Sequence, residues 1–306
     1  MGGDVAGTRG AEEDQRADSA SLVTARYRSD TFAAMYLLAE WGDRFEPDTS
    51  DGPARLPDDD STQPAAFYCR CAGLVVSWLA RAGRQPLSWC DVGGATGRFL
   101  REVMTRVPSL VAGTLVEPSE VLSGWARRLL TPEHSPLGGA TGIDRPVTPP
   151  APRQAAAMPV AVPLPGTALA PQTVHVPLAR WPEPVHGVSV LTADAEAVTS
   201  TGATFDAVSC LNVLDRVGNP GALVDILGCL VRANGVLILA CPFDFKDQYT
   251  SRAHWFADLA EVLDDRDWQV LGSADLPYVF RQYDRRVNTY LTQVVAAVRS
   301  RVEAPA

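Results

Sequence analysis

The stretch from Leu87 to Val107, LSWCDVGGATGRFLREVMTRV, decides the fold. Leu87 to Val92 is an apolar run of strand type. The chain then breaks at Gly93-Gly94 and enters a helical pattern from Gly97 to Val107. Strand, glycine loop and helix in that order open a β-loop-α unit. Gly93, Gly94 and Gly97 let the backbone approach a ligand closely, and the helix N-terminus offers free N–H groups and the positive end of a dipole. An adenine nucleotide or an adenosyl group suits both features. Val92 stands where the first glycine of G-x-G-x-x-G belongs, which speaks against a nicotinamide dinucleotide site.

Working outward, strand-like runs recur at Gly113–Val116, Val188–Thr192, Phe205–Leu211 and Gly235–Cys241. Helical patterns fall at Val121–Leu130, Pro220–Val231 and His254–Leu263. This alternation predicts an α/β fold with a doubly wound, mostly parallel sheet of Rossmann-like type. Trp268–Ser273 and Tyr290–Val298 lack a helical crossover between them and are expected to form a terminal antiparallel pair. Upstream, apolar spacing predicts a helix from Tyr27 through Trp41 and another over Pro64–Ala82, separated by an acidic loop from Glu46 to Gln63. Residues 1–20 form a polar lead-in, and 21–306 a single domain made of N-terminal helices (21–86) and a core (87–306). Thirteen of the 24 prolines lie between Thr131 and Pro184, so residues 131–184 are an insertion, either a surface linker or a lid.

The chain has 306 residues, 46% of them apolar and 21% charged, which excludes wholesale disorder, collagen-like repeats and coiled coil. A net charge of −9 without basic-aromatic runs speaks against nucleic acid as a partner. No apolar run approaches a membrane span, and the N-terminus carries no secretory pattern, so a cytoplasmic protein is expected. The six cysteines lie in or beside apolar segments and are expected to be reduced. The four histidines (His134, His175, His186, His254) show no metal-ligand spacing, and no metal is expected.

Glu117 ends the second strand, where a carboxylate can accept hydrogen bonds from both ribose hydroxyls. Asp194, just past the third strand, can receive an adenine amino group or cap the helix that follows.

Asp91 to Gly97, Glu117, Asp194 and the run FDAVSCLNVLDRVGNP (205–220) together resemble the motifs of class I S-adenosylmethionine-dependent methyltransferases, over residues 87 to 300. The resemblance implies a seven-stranded sheet ending in an antiparallel hairpin, S-adenosylmethionine as cofactor and S-adenosylhomocysteine as product. It further implies that Asp91, Gly93, Gly94 and Gly97 hold the methionine end and the ribose, Glu117 the ribose hydroxyls and Asp194 the adenine. Tyr27 would close the cofactor pocket from the N-terminal side, unless it and Asp30 mark a helix start. Gly94-Ala95 departs from the usual glycine spacing of the family.

The stretch Ser209 to Arg216, SCLNVLDR, is similar to that of methyltransferases acting on imidazole nitrogen. One such group modifies histidine in His-x-His sequences of proteins; the other is the methyltransferase domain of ovothiol synthases. Segments around Tyr36–Gly42, Cys69–Ala72, Cys241–Phe245 and Asp275–Arg281 resemble the ovothiol group more. The acceptor that this resemblance implies is a histidine-type small molecule, a thiolated histidine as in ovothiol-like biosynthesis; a protein histidine in His-x-His sequences is the alternative. A catalytically silent binding domain is the third reading. To attack a sulfonium methyl, the imidazole must be neutral with its lone pair on the reacting nitrogen. Asp215 is assigned to tautomer selection and proton acceptance, and Asn212 to orientation; a turn-forming Asn212 and a structural Asp215–Arg216 pair are the alternatives. Arg216, Tyr278 and Arg281 are the substrate-binding candidates, with Arg281 suited to a substrate carboxylate.

Overall fold

A computed structural model describes residues 29–45, 63, 65–137, 159–167, 170–283 and 285–299. Helix α1 (Asp30–Phe45) buries Phe32, Leu37, Trp41 and Phe45, and α2 (Ala66–Arg81) buries Phe67, Cys71, Val75 and Trp78, each at helical spacing. Ser29 rather than Asp30 caps α1, its Oγ accepting from the Phe32 N–H at 3.3 Å. The β-loop-α opening consists of β1 (Ser88–Val92) and α3 (Arg98–Arg106), followed by β2 (Ala112–Val116) and α4 (Glu120–Leu130). After the hairpin β3 (Val160–Thr167) and β4 (Ala170–Val176) come β5 (Val188–Leu191), α5 (Ala195–Thr199), β6 (Phe205–Leu211) and α6 (Pro220–Leu230). The chain finishes with β7 (Val231–Cys241), α7 (Leu259–Asp264), β8 (Trp268–Tyr283) and β9 (Arg286–Arg299).

The seven-stranded sheet has the order β5-β2-β1-β6-β7-β9-β8, with β9 antiparallel to both its neighbours. This is the doubly wound sheet with a terminal antiparallel pair that the alternation of patterns predicts. Side chains alternate across it: Trp89 enters the core shared with α1, α2, α3 and the β3–β4 hairpin, and Cys90 the core shared with α6 and α7.

Three elements depart from the sequence-based expectation. The strand expected at Gly235 starts at Val231, with a register shift against β6 and Asn234 at φ +61°. The terminal strands are much longer than the two apolar runs. Their added residues are partly polar, and Pro277 sits within β8, where an edge strand tolerates the missing N–H. Between Thr131 and Pro184, the described part is neither a bare linker nor a lid. Hairpin β3–β4 buries Val162, Leu164 and Val176, and Trp181 stacks on Phe45 of α1 at 5.4 Å. Burial of this aromatic and aliphatic surface props α1 against the sheet.

Candidate active site

The parallel pairing of β1, β2, β5, β6 and β7 leaves their carboxyl ends on one edge, the usual ligand position in such sheets. A cavity of about 610 Å³ lies there, within the range of small-molecule sites. Its floor is the set of residues that follow those strands, its far wall is α1, and the β8–β9 hairpin forms the remaining side.

At the cofactor-type end, Asp91 is buried and accepts a 2.6 Å hydrogen bond from Ser209 Oγ through Oδ1, whereas Oδ2 has no partner. Burial pushes its carboxyl up to about 7, opposed by the Ser209 bond and assisted by the charge of Glu117. Glu117 accepts from the Ala95 N–H at 3.1 Å and the Ser119 N–H at 2.9 Å, and burial raises it to about 7 against those two bonds. Gly93 takes φ +67° and runs so close to Val213 that a Cβ would meet Cγ2 at 2.5 Å. At Gly94 a Cβ would stand 2.7 Å from Asp91 Oδ2, the unpartnered oxygen. Gly97 lies outside the cavity wall. It takes φ +91° at the start of α3, and a Cβ there would collide with Leu130, so its role is packing rather than ligand contact.

Phe32, Tyr36 and Glu40, spaced four apart on α1, all line the cavity. Glu40 ties α1 to the glycine loop: its Oε2 accepts from Thr96 Oγ1 at 2.6 Å and from the Arg98 N–H at 3.1 Å. Trp41 Nε1 donates to the same Thr96 hydroxyl. Burial raises Glu40 to about 8, outweighing these bonds. The i, i+4, i+8 spacing was the signal for this face, but nothing local distinguishes Glu40 from an exposed helical glutamate.

At the other end, β6 stops at Asn212, which takes φ +59° and turns the chain after donating its N–H to Ala240 O. A single 3₁₀ turn, Leu214–Arg216, then brings Asp215 to the same cavity. Neither polar atom of the Asn212 amide and neither Asp215 oxygen has a hydrogen-bond partner among the described residues, although all four are buried. Arg216 Nη1 stands 3.3 Å from Asp215 Oδ2, while its Nη2 donates to Asp244 Oδ2 at 2.8 Å. Burial pushes the Asp215 carboxyl up to about 6, opposed by the Arg216 charge. Tyr278 and Tyr290 face each other across the hairpin with ring centroids 6.0 Å apart, and Tyr68 meets the Tyr278 ring edge-on at 6.1 Å.

Besides Gly97, two expected site residues, Asp194 and Arg281, lie off the cavity wall. Tyr27 is outside the described residues. Asp194 is exposed and caps α5, its Oδ1 accepting from the Ala197 N–H at 2.8 Å; the cavity wall carries Thr192 instead. Arg281 misses the cavity because strand side chains alternate. Tyr278, Phe280 and Gln282 face inward, so Arg281 faces the other way. The strand partners Arg286 and Asn288 line the cavity in its place. Reading those required knowing the hairpin register.

A family described as methyltransferase domain matches residues 66–280. No curated protein matches the chain. Among solved structures, magnesium protoporphyrin IX methyltransferase from Synechocystis PCC 6803 with bound S-adenosylmethionine is similar at 19% identity, with TM-score 0.46, over 89% of this chain and 98% of that one. Precorrin-6y C5,15-methyltransferase from Geobacter metallireducens GS-15 is similar at 13% identity, with TM-score 0.42, over 86% and 98%. No group of three or more candidate metal ligands occurs among the described residues, and none of their helices is long and apolar enough to cross a membrane.

Proposed function

The chain belongs to the methyltransferase-domain family that matches residues 66–280, and from that premise we propose that it methylates a ring nitrogen in the imidazole of a histidine-type small molecule, a thiolated histidine above all. The enzyme uses S-adenosylmethionine. The observation that carries the acceptor is the pairing, at the end of β6, of the Asn212 amide with the buried Asp215 carboxylate, neither of which has a hydrogen-bond partner among the described residues, Asp215 being faced by the Arg216 guanidinium at 3.3 Å. Buried polar groups without partners cost free energy, so this end of the cavity is built for a ligand that brings hydrogen-bonding groups of its own. A neutral imidazole does so with one N–H, and its flat ring matches the aromatic side formed by Tyr68, Tyr278 and Tyr290.

The cofactor-type end fits an adenosyl group carrying a methionine tail. Asp91 keeps one oxygen unpartnered beside the glycine loop, and Glu117, at the end of β2, is placed for ribose hydroxyls. Bound S-adenosylmethionine supplies an electrophilic methyl group. Asp215 accepts the N–H of the acceptor ring, fixing the tautomer that leaves the other nitrogen's lone pair available, and takes that proton as the ring becomes alkylated. Asn212 sets the angle of the ring. Arg216, held by Asp215 and Asp244, positions Asp215 rather than binding the acceptor itself.

Mass spectrometry of reactions with methyl-labelled S-adenosylmethionine and, in parallel, 5-thiohistidine, histidine and a His-x-His peptide tests the reading. Label in thiohistidine is expected. Label confined to the peptide moves the acceptor to protein histidine, and label in none of them ends the imidazole reading.

A further inference from the structure

The charged residues lining the cavity are unevenly distributed. Glu40, Asp91, Glu117 and Glu120 belong to the glycine-loop end, whereas the cations Arg216, Lys246 and Arg286 stand toward the β6 end and the hairpin, where Asp215 is the one lining acid among the described residues. The acidic end suits a cofactor whose ammonium and sulfonium groups exceed its single carboxylate in charge. At the basic end two of the three cations are already engaged: Arg216 with Asp215 and Asp244, and Lys246 with Asp244 at 3.3 Å. Arg286 makes no ion pair among the described residues. It is exposed, it lines the cavity beside Gln282 and Asn288, and it lies opposite Tyr283 in the hairpin register.

We propose that the methyl acceptor carries a carboxylate and that Arg286 receives it at the cavity mouth, making this residue a determinant of specificity for a free amino acid over an internal residue of a peptide. The inference rests on the imidazole reading above and names the second group by which such an acceptor is held. A guanidinium presents two parallel N–H donors to a carboxylate, a match that lysine lacks. The chain's net charge of −9 and the acids at the far end of the cavity would otherwise repel an anionic ligand, so a carboxylate needs a cation at the mouth and will point its ring inward. That orientation directs the imidazole of a histidine-type ligand toward Asn212 and Asp215. An internal histidine of a peptide has no carboxylate at this position and gains nothing from Arg286.

The test compares 5-thiohistidine with its decarboxylated counterpart, 5-thiohistamine, on the full chain. Calorimetry on the S-adenosylhomocysteine-saturated protein measures binding, and methyl transfer to each compound is followed separately. The wild type is expected to bind the carboxylated compound at least tenfold more tightly. Arg286→Gln brings that ratio close to one, Arg286→Lys restores part of it, and Arg285→Gln, the exposed neighbour outside the cavity wall, leaves it unchanged. Equal binding of the two compounds to the wild type, or a ratio that survives Arg286→Gln, overturns the assignment. Methyl transfer reports on the other question: transfer to both compounds with equal binding keeps the imidazole reading and removes Arg286, whereas a carboxylate preference without transfer to either compound keeps Arg286 and removes the imidazole.

Discussion

The two ends of the cavity are built differently. At the glycine-loop end, Glu117 has both oxygens bonded to backbone N–H groups, Asp91 has one oxygen bonded to Ser209, and Glu40 is tied to Thr96 and Arg98. At the β6 end, the amide of Asn212 and the carboxylate of Asp215 have no hydrogen-bond partner among the described residues, although the Arg216 guanidinium stands 3.3 Å from Asp215. The first end is preorganised and loses little on binding. The second stays polar and unsatisfied until a ligand completes it, so it is where discrimination between acceptors is expected to reside, because a ligand lacking the complementary groups leaves buried polar atoms unpaired.

The sharpest way to break this contrast is at Asp215. Asp215→Asn removes the proton acceptor, and kcat is expected to fall about 10²- to 10⁴-fold with cofactor binding retained, as read by steady-state kinetics and calorimetry. A rate of Asp215→Asn equal to the wild-type rate throughout pH 6 to 9 would remove the base role. At the opposite end, Asp91→Ala is expected to weaken S-adenosylmethionine binding by about 1.5–3 kcal/mol through loss of a charge-assisted hydrogen bond, measured by calorimetry. If Asp91→Ala instead lowered kcat and spared binding, the division of labour between the ends would be wrong.

Gly97→Ala probes the scaffold beneath both. Its φ of +91° and the Leu130 side chain in the way predict a loss of about 1–3 kcal/mol in thermal or denaturant unfolding. The smallest effect is one of pH. Glu40, Asp91 and Glu117 have carboxyl groups raised to about 8, 7 and 7, above their values of about 4 in the unfolded chain, so the folded state holds protons that the unfolded state releases. The stability this confers is complete below about pH 4 and drains away as pH rises through 7 to 8. The melting temperature of the ligand-free protein should therefore decline over that interval. Asp215, raised to about 6, predicts a kcat that climbs with pH up to about 6 and levels off above it, because the ionised form is the one that accepts a proton.

The cofactor-type end was largely legible in the sequence. Asp91, Gly93, Gly94 and Glu117 fall at strand ends inside a β-loop-α pattern, and such patterns are local: periodicity and a glycine break place these residues without knowledge of any distant contact. Asn212 and Asp215 were singled out instead through the resemblance carried by Ser209–Arg216, just after a strand-like run. Asp194 was read with two meanings, and the geometry assigns it the cap of α5. The walls were harder to read. Phe32, Tyr36 and Glu40 come from a helix that precedes the core, and that helix is fixed in place by a proline-rich segment more than a hundred residues later, through Val162, Leu164 and Trp181.

What the sequence by itself determined is therefore the α/β alternation, the glycine loop and the acidic residues that follow the strands, since each depends on neighbours within a few positions. The tertiary structure alone decided that β8 and β9 extend into a long hairpin over the cavity, that Arg281 turns away from it, and that Arg286 and Glu40 face it. Side-chain direction in a strand alternates with every residue, so a single step in register exchanges the inward and outward faces, and that register is set by cross-strand pairing rather than by any local run of sequence.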